Sequence, residues 1–249
     1  MTPRGRKGRD LAGSAPERAA PIVSCVPSSL EIDSALDHRR LYEYRFQGID
    51  QEARQRVWDV IGPWIHERMG SPRRVLDPAA GRFEFLNSIE ADERFAIDAV
   101  DSGFARTRAI SLTVGDALEV DLPENHFDGV FVSHFLEHLP SPSHVALLLR
   151  RLRRSMVEGG TIAVLGPNFR YCAAEYFDCA DHIVALSHVS VAEHLHAAGF
   201  EVSTIIPRFL PFSFRGVLPP SAPLTRAYLQ LRPAWRLLGK QLLVLARAG

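Results

Sequence analysis

Strand–helix alternation is the feature that most restricts how this chain can fold. From residue 73 onward, short apolar runs alternate with stretches of helical periodicity. RRVLDPA, RFAIDAV, ISLTVGDAL, HFDGVFVSHF and GTIAVLGP read as five strands. Helix patterns open at GRFEFLNSIEA, SGFARTRA and SPSHVALLLRRLRRSMVEGG. The last has Pro142 in its first turn, an apolar face of Val145, Leu148, Leu149, Leu152 and Met156, and Gly159-Gly160 as its stop. Parallel neighbours need crossover helices, so this order specifies an α/β fold with a mostly parallel sheet covered by helices on both faces. SHVSVAEHLHAAG reads as a further helix, with a Ser190–Glu193 capping box and Gly199 as its end. GFEVSTIIPRFL and KQLLVLARA bring the strand number to seven; no helix crossover pattern separates them, so they are expected as an antiparallel pair at the sheet edge.

Three regions are expected around this pattern. Residues 1–30 are rich in Arg, Ala, Ser and Pro without periodicity and read as a disordered arm. Residues 31–72 read as a helical cap. Its helix spans about 50–69, with Asp50 as N-cap, Val57, Val60, Ile61, Trp64 and Ile65 on one face and Gly70 as stop; Pro63 is expected to kink or split it. Residues 73–249 hold the α/β pattern, interrupted at 207–238 by a segment carrying Pro211, Pro219, Pro220, Pro223 and Pro233, with a short helix near Thr225–Leu231. That insertion sets Phe209, Phe212, Phe214 and Trp235 beside five arginines. It is expected to pack as an edge or lid, with peripheral membrane contact as the alternative. Lys+Arg and Asp+Glu both number 29, which argues against a dedicated nucleic-acid binder. Cys25, Cys172 and Cys179 form no disulfide framework. No apolar run reaches the roughly 20 residues of a membrane span, and MTPRGRKGRD leads into no apolar signal region, so a cytoplasmic protein is expected.

In open α/β sheets ligands bind beyond the carboxyl ends of the strands. The first strand ends in Asp77-Pro78-Ala79-Ala80-Gly81, the second at Asp98, the third in Gly115-Asp116-Ala117 and the fourth in Ser133-His134-Phe135. Acids at the ends of strands two and three suit a nucleoside, one for the ribose hydroxyls and one for the exocyclic amine of adenine. GxxxxGK[ST] is absent, and so is GxGxxG, which disfavours a P-loop and a nicotinamide oxidoreductase. What remains is an adenosine carrying no phosphate.

From about residue 42 to 249 the layout resembles the class I S-adenosylmethionine-dependent methyltransferases. VLDPAAG resembles the family's first motif, Asp98 its ribose-binding acid, GDAL its adenine-contacting segment, FDGVFVSHFLEHL its fourth-strand motif and MVEGGTIAVLGP its turn into strand five. GPNFRY followed by DHIVALSHVSVAEHLHAAGFEV is similar to a bacterial subgroup linked with glycan or lipid-carrier biosynthesis. The resemblance implies a Rossmann-like fold, S-adenosyl-L-methionine as cofactor, and a small-molecule acceptor methylated on an oxygen of a sugar or glycolipid-type metabolite. It implies cofactor contacts from Asp77, Ala79, Gly81, Asp98, Asp116, Ala117 and Ser133; Tyr44 and Arg45 precede the domain and are expected to close over the donor, with a surface pair as the equal alternative. Arg170, Tyr171, Glu175 and Tyr176 lie where the acceptor is expected. His134, His182 and His188 are the candidate bases, with loop, cap or packing roles as the alternatives; Asp181 beside His182 is expected to raise its basicity.

Two departures stand out. Aligned on Asp77, the three family glycines fall on Ala79, Gly81 and Phe83, which motivates a second reading as a non-catalytic interaction protein on the same fold. His134-Phe135-Leu136-Glu137-His138 also matches HxxEH, an inverted zinc-protease motif that needs a helix and a distant third ligand; it straddles a strand end here, so no metal is expected. Ser-His-Phe after strand four differs from the [DNS]PP[YFW] of base-methylating enzymes, which weakens a nucleic-acid substrate.

Overall fold

The computed structural model describes residues 37–101, 103, 109–212 and 220–249. The expected arm, most of the SGFARTRA helix, and Phe214, Arg215 and Pro219 of the insertion lie outside the described residues.

The strands are β1 (Arg74–Asp77), β2 (Glu93–Asp98), β3 (Ile110–Val114), β4 (Phe127–Ser133), β5 (Met156–Pro167), β6 (Phe200–Ile206) and β7 (Gln241–Ala248). They form one seven-stranded sheet in the order β3-β2-β1-β4-β5-β7-β6. β1 through β5 pair in parallel, and β7 is inserted antiparallel between β5 and the edge strand β6. Order reverses between β1 and β4, so the carboxyl ends of these two strands flank the crevice where such sheets bind ligands.

Side chains alternate along the strands, and both faces of the central strands β1, β4, β5 and β7 are buried. Leu76, Val130, Val132, Ile162, Val164, Leu242 and Val244 face one core, with α4 (Pro142–Ser155) and α6 (His188–Ala197) packed on it. Val75, Phe131, Ala163, Leu165, Leu243 and Leu245 face a second core under α2 (Gln51–Arg68) and α3 (Glu84–Ser88). Completing the helices are α1 (His38–Arg45), α5 (Phe169–Tyr176), α7 (Ala222–Gln230) and α8 (Arg232–Leu238).

Four local features differ from the sequence pattern. α2 runs unbroken through Pro63; Pro63 and Asp59, whose carbonyl the proline cannot bond, are both exposed residues on the solvent side of the helix. α4 stops at Ser155 rather than at the glycine pair. Met156 already pairs with Phe127, and pairing resumes at Thr161 with Gly129, so Gly159 (φ 75°) serves an irregularity of β5 instead of a helix end. The capping box of α6 lies three residues earlier than expected: Ser187 Oγ accepts from the Ser190 N–H (3.2 Å), and Ser190 Oγ accepts from the Ser187 N–H (2.9 Å). The insertion forms two helices, α7 and α8. Its aromatic residues Phe209 and Trp235 are buried and join Trp64 in a cluster with ring centroids 4.9–5.6 Å apart.

Gly62 permits the close packing of α2 on α3: a Cβ there would lie 1.9 Å from Ser88 Oγ.

Candidate functional site

The loop after β1 is built from backbone donors and two acids. Asp77 is buried at the strand end and accepts from the Ala79 N–H at 3.1 Å. Burial pushes its carboxyl up to about 7, the Ala79 bond opposing and Asp98 and Glu84 adding to the shift. Ala80 N–H donates to the Ile97 carbonyl, fixing the loop against β2. Gly81, at φ 52°, donates its N–H to Asp98 Oδ2 (2.8 Å), and Val100 N–H donates to Asp98 Oδ1 (3.2 Å). Burial raises the Asp98 carboxyl, opposed by these backbone bonds. A carboxylate has about four lone-pair sites, so acceptor capacity remains beside these backbone bonds.

Phe83 occupies the third position of the glycine pattern and keeps the glycine's backbone, φ 61° and ψ 17°. Its ring is fully buried in the core beneath α2, with Val75, Ala80, Phe85 and Phe131 in the same cluster. The left-handed turn delays α3 to Glu84, whose carboxylate pairs with Arg54 from α2.

Asp116 is exposed, and its Oδ1 accepts from the Leu118 N–H (2.8 Å), closing the turn that buries Ala117. Ser133 Oγ meets His134 Nδ1 at 2.9 Å, and His134 adopts φ 49°. Burial, then repulsion from Arg54, His138 and His182, pushes His134 down to about 3. It is neutral at pH 7 and serves as a hydrogen-bonding group, with little basicity for proton abstraction.

Arg45 reaches from α1 to Asp181, donating from Nη1 to Oδ2 at 3.1 Å and forming a second, shorter contact from Nη2. Its guanidinium lies 5.2 Å from the centroid of the Tyr42 ring. This pairing engages Arg45 with the loop after α5. His138 Nδ1 meets Asp181 at its backbone oxygen (3.0 Å) and at Oδ2 (3.3 Å). His182 packs its ring 4.9 Å from His138 and 4.7 Å from Tyr176. Burial and His138 push His182 down to about 4, outweighing the opposite influence of Asp181, so its basicity is lowered where the sequence led us to expect it raised.

The other expected acceptor contacts divide. Tyr176 is fully buried; its hydroxyl donates to the Val184 carbonyl (2.6 Å) and accepts from the Leu186 N–H (3.2 Å), which makes it a support of the loop. Glu175 pairs with Lys240 at the surface. Arg170 is exposed. Tyr171 stacks on His188 with centroids 6.0 Å apart, and Arg208 lies over its ring at 4.9 Å. His188 Nδ1 is held at 2.9 Å by Asn168, a fully buried residue that also donates to the Pro207 carbonyl (2.7 Å); burial, then Arg170, lowers the His188 ring.

Glu137 and Asn168 are site-supporting residues whose roles the sequence reading passed over. The signal for Glu137 was an acid inside the apolar run Phe135–Leu139.

Residues 74–164 match a family model described as a methyltransferase domain. No curated protein matches the chain. Solved structures similar to it include a SAM-dependent methyltransferase from Archaeoglobus fulgidus, 22% identical, with 85% of this chain and 100% of that chain covered at a TM-score of 0.60. Another is a possible histamine N-methyltransferase from Thermotoga maritima, 13% identical, covering 85% and 96% at a TM-score of 0.60. The [4+2]-cyclase SpnF is 17% identical, covering 76% and 80% at a TM-score of 0.53. These likenesses establish the Rossmann-like fold. A methyltransferase domain with this strand order and these strand-end acids takes S-adenosylmethionine as its cofactor.

Proposed function

We propose that this chain transfers a methyl group from S-adenosylmethionine to an oxygen of a small molecule, of sugar or glycolipid-precursor type. The observation that carries the reading is the pair of acids at the crevice. Asp77 is buried, with its carboxyl pushed up to about 7, so a cation placed beside it restores its charge. Asp98 retains acceptor sites for ribose hydroxyls. The residues therefore fit a cationic nucleoside. Asp77 would face its ammonium end, Asp98 its ribose, and Asp116 with Ala117 its adenine.

The bound cofactor supplies an activated methyl group on a sulfonium sulfur. What the chain adds is position and exclusion of water. Gly81 fixes the Asp98 carboxylate through its N–H. Arg45 ties α1 to Asp181, so that α1 acts in this reading as the cap beside the strand ends. His134 offers a neutral ring for orienting a polar group. Tyr171, His188 and Arg170 on α5 and α6 are the acceptor-side surface. Phe83 and Ala79 motivate the alternative of a fold retained without chemistry; the burial of the Phe83 ring in the core favours the catalytic reading at that position.

Calorimetric titration with S-adenosylmethionine and S-adenosylhomocysteine tests the reading. Binding is expected to both, weakened by Asp98→Ala; absence of binding at millimolar ligand would refute it. Transfer of isotopically labelled methyl groups to fractionated polar-lipid and sugar extracts then tests the acceptor class.

A further inference from the structure

We propose that Glu137, His138 and His182 bind one divalent transition-metal ion, with Asp181 orienting His138 from behind. One ligand atom from each of the three residues lies within 4.8 Å of the others. Zinc donors in a tetrahedral site lie about 3.3 Å apart, given metal–ligand distances of ~2.0–2.1 Å. Modest side-chain rotation closes the difference.

Two independent observations single this cluster out. Glu137 is 3% exposed, and its Oε1 is buried with no hydrogen-bond partner. His182 Nδ1 is likewise buried without a partner. An unmatched buried acceptor costs on the order of 1–3 kcal/mol, more when charged, and both of these atoms belong to residues of the cluster. A metal ion would satisfy both.

His138 is already arranged as a ligand. Its Nδ1 is engaged by Asp181, which leaves Nε2 as the free donor. A carboxylate behind a histidine in this way fixes the tautomer and raises ligand strength. Asp181 is in turn held by Arg45 from α1. The backbone supports the grouping as well: Ile183 N–H and Val184 N–H both donate to the Glu137 carbonyl, at 2.8 and 3.0 Å, pinning the His182 loop to the 3₁₀ turn Leu136–His138.

The donor set is two imidazoles and one carboxylate, which selects zinc, cobalt, iron(II) or manganese over calcium and magnesium. It differs from the HxxEH pattern, because His134 turns its Nδ1 to Ser133 Oγ while His182 arrives from the loop after α5. Three protein ligands leave a position open to an outside oxygen. Use of that position by an acceptor hydroxyl would rest on the methyl-transfer reading; metal binding itself does not.

The test is a cobalt(II) titration of the untagged full chain after chelator treatment, followed by visible d–d absorption and displacement with zinc. One equivalent is expected to bind at micromolar protein. Glu137→Gln and His182→Ala are each expected to lose this binding, and Asp181→Asn to weaken it by about 10–100-fold. Failure of the wild-type chain to bind cobalt or zinc would overturn the proposal. So would undiminished one-equivalent binding by His182→Ala, which decides the matter even where Glu137→Gln fails to fold. S-adenosylhomocysteine titration of the same metal-free protein separates the two readings: its binding without metal uptake refutes only the metal site, and metal uptake without its binding refutes only the methyltransferase reading.

Discussion

Replacing Phe83 with alanine and with glycine separates two opposing contributions at one residue. Phe83 holds a left-handed backbone at φ 61°, and its ring is fully buried in the core under α2. Truncating a buried phenylalanine to alanine costs about 3–5 kcal/mol. Left-handed backbone costs an L-residue about 1–2 kcal/mol, and alanine keeps that strain while glycine sheds it. Glycine adds unfolded-state entropy of about 0.5–1 kcal/mol in ordinary positions. At Phe83 the relief of strain is the larger quantity, so Phe83→Gly is expected to be more stable than Phe83→Ala by up to about 1 kcal/mol, with both below the wild type. Urea midpoints at constant slope measure the order. The variants should also bind S-adenosylhomocysteine with wild-type affinity to within about tenfold, because the ring lies in the core. An alanine variant more stable than the glycine variant would refute the left-handed assignment. A gain in affinity beyond tenfold on truncation would show that the ring obstructs the cleft.

Three further outcomes follow from the geometry. Asp77 has a folded pKa near 7 against an ordinary value of 3.8, so the folded state binds the proton more tightly; stability should fall as pH rises through this window, by about 1.4 kcal/mol per unit at most, and level off above it. Asp77→Asn should flatten that slope in thermal unfolding measured from pH 4 to 8, while weakening S-adenosylmethionine binding at pH 8. Gly62→Ala places a Cβ 1.9 Å from Ser88 Oγ and should cost about 1–3 kcal/mol or more by chemical denaturation, with partial recovery on adding Ser88→Ala; additive effects would contradict the contact. Arg45→Ala leaves the Asp181 carboxylate, 2% exposed, without its cation and should cost about 3–5 kcal/mol, read together with faster amide exchange in α1.

The sheet was legible because its information is local. Alternating residues such as Val130, Phe131 and Val132 sort themselves between two buried faces, and strands bounded by glycine, proline and acids carry their own limits. The strand-end acids were legible for the same reason, since Asp77 and Asp98 close apolar runs. Boundaries set by pairing were not: α4 yields to β5 at Met156 because Met156 has a strand partner in Phe127, which the helix pattern alone does not record. Tyr176 read as an acceptor contact because aromatic residues in polar loops face either way; only the Val184 and Leu186 backbone decides that it faces inward.

The histidines show most sharply what a local reading misses. A histidine beside an aspartate has a local signature for raised basicity, and His182 follows Asp181 directly. Yet Asp181 spends its carboxylate on Arg45, 136 residues away in sequence, and on His138. His182 is left with the desolvation of its site and the repulsion of His138, and His134 experiences both as well. Each unit by which a base falls below the working pH removes about 1.4 kcal/mol of proton affinity. At about 3 and about 4, His134 and His182 are poor acceptors for a hydroxyl proton at neutral pH, but good lone-pair donors that remain neutral. In the proposed reading, the proton of an acceptor hydroxyl would leave by another route, such as solvent or His188, rather than through these two rings.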